Sequence, residues 1–234
     1  MTKDSISNHL LELRTRILKV ILLFAVLSAV GIPFASDIYT FVAGPLIGLL
    51  PEGSSMIATE VASPFMAPIK LVLYIALLFS MPWMFYQIWM YVSPGLYRNE
   101  KRFTRPLMLS TIVLFFSGAA FAFFVVCPII FKFFIAMAPE SIQVMTDINQ
   151  YIGFMFKLVF AFGIAFEIPI ATILLVKSGI TTKSSLIKAR PYLIILFLVF
   201  GMLLTPPDIF SQLFLAIPMW ILFELGILIS RDKN

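Results

Sequence analysis

The apolar residues of the chain fall into six long runs separated by polar segments. A helix needs about 20 predominantly apolar residues to cross the hydrocarbon core of a bilayer. The pattern therefore predicts an all-α, polytopic membrane protein, with six transmembrane helices in a single membrane domain over residues 1–234. The predicted spans are residues 17–35, 71–92, 106–131, 158–176, 191–205 and 209–229.

The last two predicted spans are short. The fifth run has 15 residues and is about 22 Å long as a helix, whereas the hydrocarbon core is roughly 30 Å thick. Pro206 and Pro207 then force a turn, and the sixth run leads back. Two short spans and a re-entrant hairpin both fit this pattern. We favour two spans because the returning run is long enough to cross.

The polar segments have patterns of their own. Residues 1–16 place apolar side chains at spacings of three and four, which predicts an amphipathic helix that continues into the first span. The segment 36–68 is rich in proline, and we expect it to form a loop cap on the outer side. Within it, residues 39–50 are apolar but too few to cross, which indicates an interfacial helix.

Lys and Arg concentrate in alternate polar segments. Fourteen of the 17 basic residues lie in segments 1–19, 93–105, 177–190 and 231–234. Because cytoplasmic loops carry an excess of Lys and Arg, both termini and the loops 93–105 and 177–190 are predicted to be cytoplasmic. The segments 36–68 and 132–150 are then expected on the outer side.

Composition excludes several classes of protein. Hydrophobic residues make up 61% of the chain and the mean hydropathy is +1.02, whereas soluble domains are about 45–50% apolar. The net charge of +5 comes from loop residues that meet anionic lipid headgroups, so no nucleic-acid partner is expected. The single cysteine, Cys127, excludes a disulfide framework and a Cys/His metal cluster. No metal or other cofactor is predicted.

The sequence has no catalytic signature. The only histidine, His9, lies outside the apolar runs, so no span supplies a base for an intramembrane serine nucleophile. The chain has no G-x-x-x-x-G-K-[ST] motif to hold a nucleotide phosphate. We therefore expect that the protein is not an enzyme.

Glu167 is the one acid deep in a predicted span. An ionised side chain at the centre of a bilayer costs at least about 2.5 kcal/mol on insertion scales. Three roles are open: a carboxyl satisfied by hydroxyls such as those of Ser110, Ser117 or Thr172, a contact for a partner helix, or a proton relay. The relay would make the protein a proton-coupled small-solute transporter. Glu224 is instead expected to reach lipid headgroups.

Glu12 and Glu100 are isolated acids in basic, predicted cytoplasmic segments. In one interpretation, Glu12 pairs with Arg16 one helical turn away, and Glu100 is a solvated loop charge. In the other, each carboxylate binds one guanidinium of a ligand, and the surrounding cations repel other cationic molecules. The nearby aromatic residues fit either an interfacial belt or an apolar wall for a ligand: Trp89, Tyr91 and Tyr97.

Five stretches of the chain resemble one known family. They are HLLELR (9–14), MIATEVASPF (56–65), SPGLYRNEKR (93–102), FEIP (166–169) and GMLLTPPD (201–208). They occur in order, and the resemblance covers residues 5 to 231. On these motifs the chain resembles the TatC family, the polytopic receptor subunit of the twin-arginine protein translocase.

The resemblance implies a function in protein export. Such proteins bind the Arg-Arg motif of signal peptides on the cytoplasmic face of the bacterial inner membrane. They recruit the single-span subunits TatA and TatB, so that folded proteins cross by means of the proton-motive force. The resemblance also implies self-association in a multi-subunit complex.

The resemblance also implies roles for individual residues. Glu12 and Glu100 would hold the two arginines of the signal peptide, and Arg14, Tyr91 and Tyr97 would shape the site. Tyr91 stands where Phe is expected in the family, and the ring is kept. The other implied positions are an intramembrane partner contact at Glu167, a TatA/TatB contact surface at Met202, Thr205 and Gln212, and two sensitive outer-side positions, Pro45 and Asp208.

Overall fold

The fold is a set of long helices with one short strand pairing. The computed structural model describes residues 3–47, 56–92, 101–137, 139, 145–205 and 208–230. Within these ranges, six helical segments are long and apolar enough to cross a membrane: Leu11–Gly44, Ser63–Ile88, Leu107–Ala136, Ile148–Lys177, Lys183–Leu204 and Ile209–Ile229. The prediction of an all-α protein with six spans is confirmed, and the last two spans are the shortest, at 22 and 21 residues.

The elements follow one another along the chain. The first are α1 (Lys3–Gly31), a 3₁₀ turn (Ile32–Phe34), α2 (Ala35–Ile47), β1 (Met56–Ile57), α3 (Ser63–Val92) and α4 (Lys101–Phe121). Then come a π-helical segment (Ala122–Val126), α5 (Cys127–Ala136), β2 (Thr146–Asp147), α6 (Ile148–Ala165), α7 (Ile168–Lys177), α8 (Lys183–Leu204) and α9 (Ile209–Ile229). β1 and β2 pair in parallel, with Met56 beside Thr146 and Ile57 beside Asp147.

Proline interrupts two of the helical spans. Pro33 has no backbone N–H to donate, and the chain passes through the short 3₁₀ turn between α1 and α2. In the fourth span, α6 ends at Ala165 and α7 begins at Ile168, with Pro169 in the first turn of α7. Glu167, the one acid deep in a predicted span, lies in the turn between the two helices.

Several helices extend beyond the apolar runs that predicted them. The predicted starts at 71 and 158 were too late, because α3 begins at Ser63 and α6 at Ile148. The predicted end at 131 was too early, because α5 continues to Ala136. α2 begins at Ala35, four residues before the predicted interfacial helix. The length of an apolar run measures only the part of a helix that lies in hydrocarbon. Polar turns at the ends of that run remain helical where their backbone N–H and C=O groups have hydrogen-bond partners.

A further error concerns the start of the fifth span. It was predicted at Pro191, which lies inside α8, because that helix begins at Lys183. The hydroxyl of Thr182 accepts a hydrogen bond from the main-chain N–H of Ser185 at 3.2 Å and caps the polar first turn. The predicted loop 177–190 therefore shortens to residues 178–182. At the N-terminus, α1 continues from the polar segment into the first span as predicted.

The chain forms two compact units. Unit 1 comprises Met1–Pro45 and Ala58–Ile112, and unit 2 comprises Leu46–Ile57 and Val113–Asn234. In unit 1, α1 and α3 pack antiparallel. A Cβ atom at Gly31 would lie only 2.7 Å from Cγ1 of Val72, so the two helices approach closely at this end. The single membrane domain predicted from the sequence stays a prediction.

In unit 2, α8 and α9 form an antiparallel hairpin. The core cluster that includes both helices contains Ala165, Phe197, Ala216, Met219, Phe223 and Ile227. The last helix also packs closely on α7, because a Cβ atom at Gly226 would lie 2.9 Å from Cα of Pro169.

Candidate functional site

A polar cluster joins α1 and α3 in unit 1. Arg16 donates to Oε1 of Glu12 through Nε (3.1 Å) and Nη2 (2.5 Å). Its Nη1 donates to Oε1 of Gln87 at 3.1 Å, and its Nη2 lies 3.4 Å from the carbonyl oxygen of Met90. The Arg16 side chain is 18% exposed and that of Glu12 is 40% exposed, whereas Gln87 is 6% exposed. The carboxylate is thus the accessible member of the cluster.

An apolar groove of about 210 Å³ adjoins this cluster. Arg16 and Gln87 are the charged and amide residues of its lining, and the surface that they expose to the groove is apolar. The rest of the lining comes from Leu13, Ile17, Val20 and Ile21 of α1 and from Met84, Ile88 and Tyr91 of α3. Glu12 and Tyr91, both predicted for the signal-peptide site, therefore lie at neighbouring positions in unit 1.

Three further residues were predicted for this site: Arg14, Tyr97 and Glu100. Arg14 is exposed on α1. Tyr97 and Glu100 lie outside the described residues, so the predicted pairing of two carboxylates stays a prediction. The contact between Glu12 and Arg16, which was one of the two interpretations, is present.

Gln87 was missed by the sequence analysis. It is an amide inside an otherwise apolar run, and polar residues in spans usually face the bundle interior or mark a site. The same signal drew attention to Glu167 and would have found Gln87. Its partner would have stayed unknown, because Arg16 lies 71 positions away in the sequence.

The intramembrane acid Glu167 lies in the turn between α6 and α7, where its Oε1 atom is buried. Two hydroxyls that were candidate partners donate to carbonyls of their own helices instead: Ser117 to Val113 and Thr172 to Ile168, both at 2.7 Å. A hydroxyl has one hydrogen to donate, so neither donates to this carboxyl in the structure.

Met202, Thr205 and Gln212 lie on the α8–α9 hairpin of unit 2. The Thr205 hydroxyl donates to the Gly201 carbonyl at 2.9 Å, and Nε2 of Gln212 donates to the Leu198 carbonyl at 2.9 Å. The Gln212 bond joins α9 to α8, whereas the Thr205 bond stays within the end of α8. Met202 is 49% exposed and offers the accessible surface of the three.

Of the two predicted outer-side positions, the structure describes the side chain of Asp208 but not that of Pro45. Asp208 caps α9, because its Oδ1 atom accepts a hydrogen bond from the main-chain N–H of Ser211 at 2.7 Å. Pro45 lies in the last turn of α2, and its side chain is outside the described part of the structure.

One ion pair in unit 2 involves Glu224 and was not predicted. Glu224, predicted to reach the headgroups, accepts a hydrogen bond from Nη2 of Arg190 at 2.6 Å and is 21% exposed. The pair joins α8 to α9, and the 34 positions between its members hid it from sequence analysis.

Comparisons with known proteins agree over nearly the whole chain. The family model for TatC, the Sec-independent protein translocase protein, matches residues 8–218. The Sec-independent protein translocase protein TatC of Azotobacter chroococcum mcd 1 is 52% identical over 219 residues, which is 94% of this chain and 86% of the relative. That of Escherichia coli K12 is 50% identical over 223 residues, or 95% and 86% of the two chains.

A solved structure has the same fold. The crystal structure of the twin-arginine translocase receptor TatC matches with a TM-score of 0.83 and 36% identity. The match covers 94% of this chain and 96% of that one. The family is a membrane component of a protein translocase and not a family of enzymes. This chain belongs to the TatC family and is a multi-pass subunit of the twin-arginine translocase in the bacterial inner membrane.

Proposed function

We propose that this chain is the receptor that binds Arg-Arg signal peptides on the cytoplasmic face and, with TatA and TatB, exports folded proteins by means of the proton-motive force. The observation that carries the proposal is the accessible carboxylate of Glu12, which is paired with Arg16 in the lining of the apolar groove between α1 and α3. Solved relatives described as twin-arginine translocase receptors support it.

The chemistry of the ligand suits this carboxylate. A guanidinium is planar, stays charged and offers several N–H donors to a carboxylate, whereas an ammonium lacks the planar fork. Oε1 of Glu12 is bound by Arg16, and no described residue binds its Oε2. An arginine of the signal peptide binds there, and we assign the second arginine to Glu100 and a part in shaping the site to Tyr97.

The surrounding positive charge makes the site selective. Arg14 is exposed on α1, and the segments around both acids are basic. A cationic molecule that does not place its charges on the two carboxylates is repelled, which disfavours unrelated basic peptides. Tyr91 adds an aromatic wall beside the groove.

Partner binding is assigned to unit 2. Met202, Leu203 and Phe210 are exposed apolar residues of the α8–α9 hairpin, and side chains of this kind suit a single-span helix in lipid. Thr205 and Gln212 fix the shape of the hairpin, and Glu167 supplies a polar contact for a partner within the membrane. Self-association into a complex uses the same kind of lipid-facing helix surface.

The test is a photocrosslinking scan of residues 5–20 and 88–105 against an Arg-Arg signal peptide. We expect crosslinks at both segments. Glu100→Gln and Glu12→Gln should each weaken peptide binding, the first more severely, because each loses a charged hydrogen-bond acceptor worth about 1.5–3 kcal/mol. Arg→Lys at either signal position should also weaken it.

A matched control removes an acid elsewhere. Asp37 is exposed in the first turn of α2, and Asp37→Asn should leave crosslinking unchanged. Undiminished signal binding by Glu100→Gln would refute the assignment of the site. Copurification of TatA and TatB tests the partner assignment independently, and pH-dependent solute flux by the purified chain alone would favour a small-solute transporter.

A further inference from the structure

We infer that Arg16 and Gln87 are positioning residues for Glu12: the Gln87 amide fixes the Arg16 guanidinium, which holds one carboxylate oxygen and leaves the other for an arginine of the signal peptide. The inference rests on the proposed function, because it concerns how Glu12 is prepared for that ligand. Gln87 was not predicted to belong to the site, and Arg16 was predicted only as a surface partner of Glu12.

Arg16 is fixed by acceptors on two helices. Within α1, Nε and Nη2 share Oε1 of Glu12. On α3, Nη1 bonds Oε1 of Gln87 and Nη2 lies near the Met90 carbonyl. Because the guanidinium is planar, it cannot turn without losing at least one of these bonds. An exposed ion pair between neighbouring turns of one helix would have no such constraint.

Gln87 is the anchor of this arrangement. It is 6% exposed, and burying an amide costs free energy unless the amide is hydrogen-bonded. Its Oε1 atom accepts the bond from Arg16 at 3.1 Å. An apolar side chain of similar size would line the groove equally well, so the amide is explained by the bond to Arg16 and not by packing.

The end of α3 shares the charge of Arg16. Met90 is in the last turn of this helix, where carbonyl groups lack intrahelical donors and the helix dipole favours a cation. Since the Arg16 guanidinium interacts with this helix end as well as with Glu12, it neutralises the carboxylate only in part. Glu12 therefore retains attraction for a second cation.

Exposure decides which group the ligand reaches. The Glu12 side chain is 40% exposed, whereas the Arg16 side chain is 18% exposed. An incoming arginine therefore meets the carboxylate, and it binds at Oε2 without displacing Arg16. With Oε1 held, the carboxylate loses little freedom on binding, and such preorganisation favours affinity.

The experiment measures equilibrium binding of a synthetic twin-arginine signal peptide, and of its twin-lysine counterpart, to the purified full chain in nanodiscs. Gln87→Met keeps the length of the side chain but removes the acceptor for Arg16. We expect about tenfold weaker binding of the twin-arginine peptide and a smaller preference over the twin-lysine peptide. In a Glu12→Gln background, Gln87→Met should add no further loss, because it acts through Glu12.

Controls separate positioning from loss of fold. Gln150 is exposed on α6, and Gln150→Met makes the same exchange there, so it should leave both affinities unchanged. A smaller folded fraction would weaken binding of both peptides equally and keep the preference intact. Arg16→Lys, which keeps the charge but loses the planar fork, provides a second variant and should reduce the preference in the same way.

Three results would overturn the inference. Unchanged affinity and preference in both Gln87→Met and Arg16→Lys would show that Glu12 needs no support. Tighter binding in either variant would make Arg16 a competitor of the signal peptide. Unchanged binding by Glu12→Gln would remove Glu12 itself from the proposed site, which is the outcome that also contradicts the proposed function.

Discussion

At the scale of single residues, many hydroxyl groups in the spans bond to their own backbone. Ser28 donates to the Phe24 carbonyl at 2.8 Å, and Ser117, Thr172 and Thr205 make the corresponding bond to the residue four positions before. An unbonded hydroxyl in hydrocarbon costs free energy, and this carbonyl is the nearest acceptor. These hydroxyls are engaged, so recognition depends on carboxylates, on amides such as that of Gln87 and on exposed side chains.

Substitution of Asp208 is expected to act through the helix cap that this residue provides. Asp208→Ala removes the oxygen that caps α9, and we expect a loss of about 1 kcal/mol in the free energy of unfolding. Asp208→Asn keeps a capping oxygen and should stay close to the original protein in stability and export. Thermal unfolding in detergent and export of a twin-arginine reporter measure the two quantities.

Comparing the two variants shows whether Asp208 is needed as a helix cap or as a negative charge. No described residue bonds to the buried Oδ2 of Asp208, so the structure gives the second oxygen no role that Asn would lose. If Asp208→Asn fails in export as severely as Asp208→Ala, the negative charge itself is needed, and capping is not the explanation.

At the scale of elements, close approach of helices depends on residues without side chains. A Cβ atom at Gly226 of α9 would lie 2.9 Å from Cα of Pro169 and 2.9 Å from Cβ of Thr172 on α7. Because one of these atoms is backbone, Gly226→Ala must move α7 and α9 apart. We expect a loss of about 1–3 kcal/mol in the free energy of unfolding, measured by thermal unfolding of the purified protein.

The control is a Gly→Ala substitution at a glycine that no other helix approaches closely. Outside the surrounding backbone of α6, no atom of the described residues lies within 4 Å of a Cβ atom built at Gly153. Gly153→Ala should therefore leave stability unchanged or raise it slightly, since Ala favours a helix over Gly by about 1 kcal/mol. Equal unfolding temperatures for the two alanine variants would contradict the close packing of α7 and α9.

Helix bounds show what sequence can and cannot predict at this scale. The sixth span was predicted at 209–229, the bounds of α9, because Glu224 is the only charged residue of this apolar run and the run follows the turn at Pro206 and Pro207. The start of α8 was missed because residues 183–190 are polar and hydropathy does not distinguish a polar helical turn from a loop. Pro191 was misread as a boundary for the same reason.

At the scale of the whole molecule, the bilayer makes the number of spans predictable from sequence. It does not determine which helices pack against each other. A bilayer requires long apolar helices, so counting apolar runs finds the spans. Which helices touch depends on side-chain packing that hydropathy does not record. The contacts of Arg16 with Gln87 and of Arg190 with Glu224 therefore needed the structure. Glu12 and Tyr91 were predicted from sequence as members of the signal site, whereas the contact of Gln87 with Arg16 was not predicted.

Orientation is the property of the whole molecule on which the proposed receptor depends, and the single cysteine makes it testable. Cys127 is 4% exposed, and Cys127→Ala provides a background without cysteine. Into this background we introduce Val61→Cys, between the first two spans, or Ser178→Cys, between the fourth and fifth spans. Both positions are exposed. The positive-inside rule predicts that a membrane-impermeant maleimide added to intact spheroplasts labels Val61→Cys, but labels Ser178→Cys only after permeabilisation. The opposite labelling would place the basic segments and Glu12 on the outer side, where no signal peptide arrives before export, and the receptor proposal would fail.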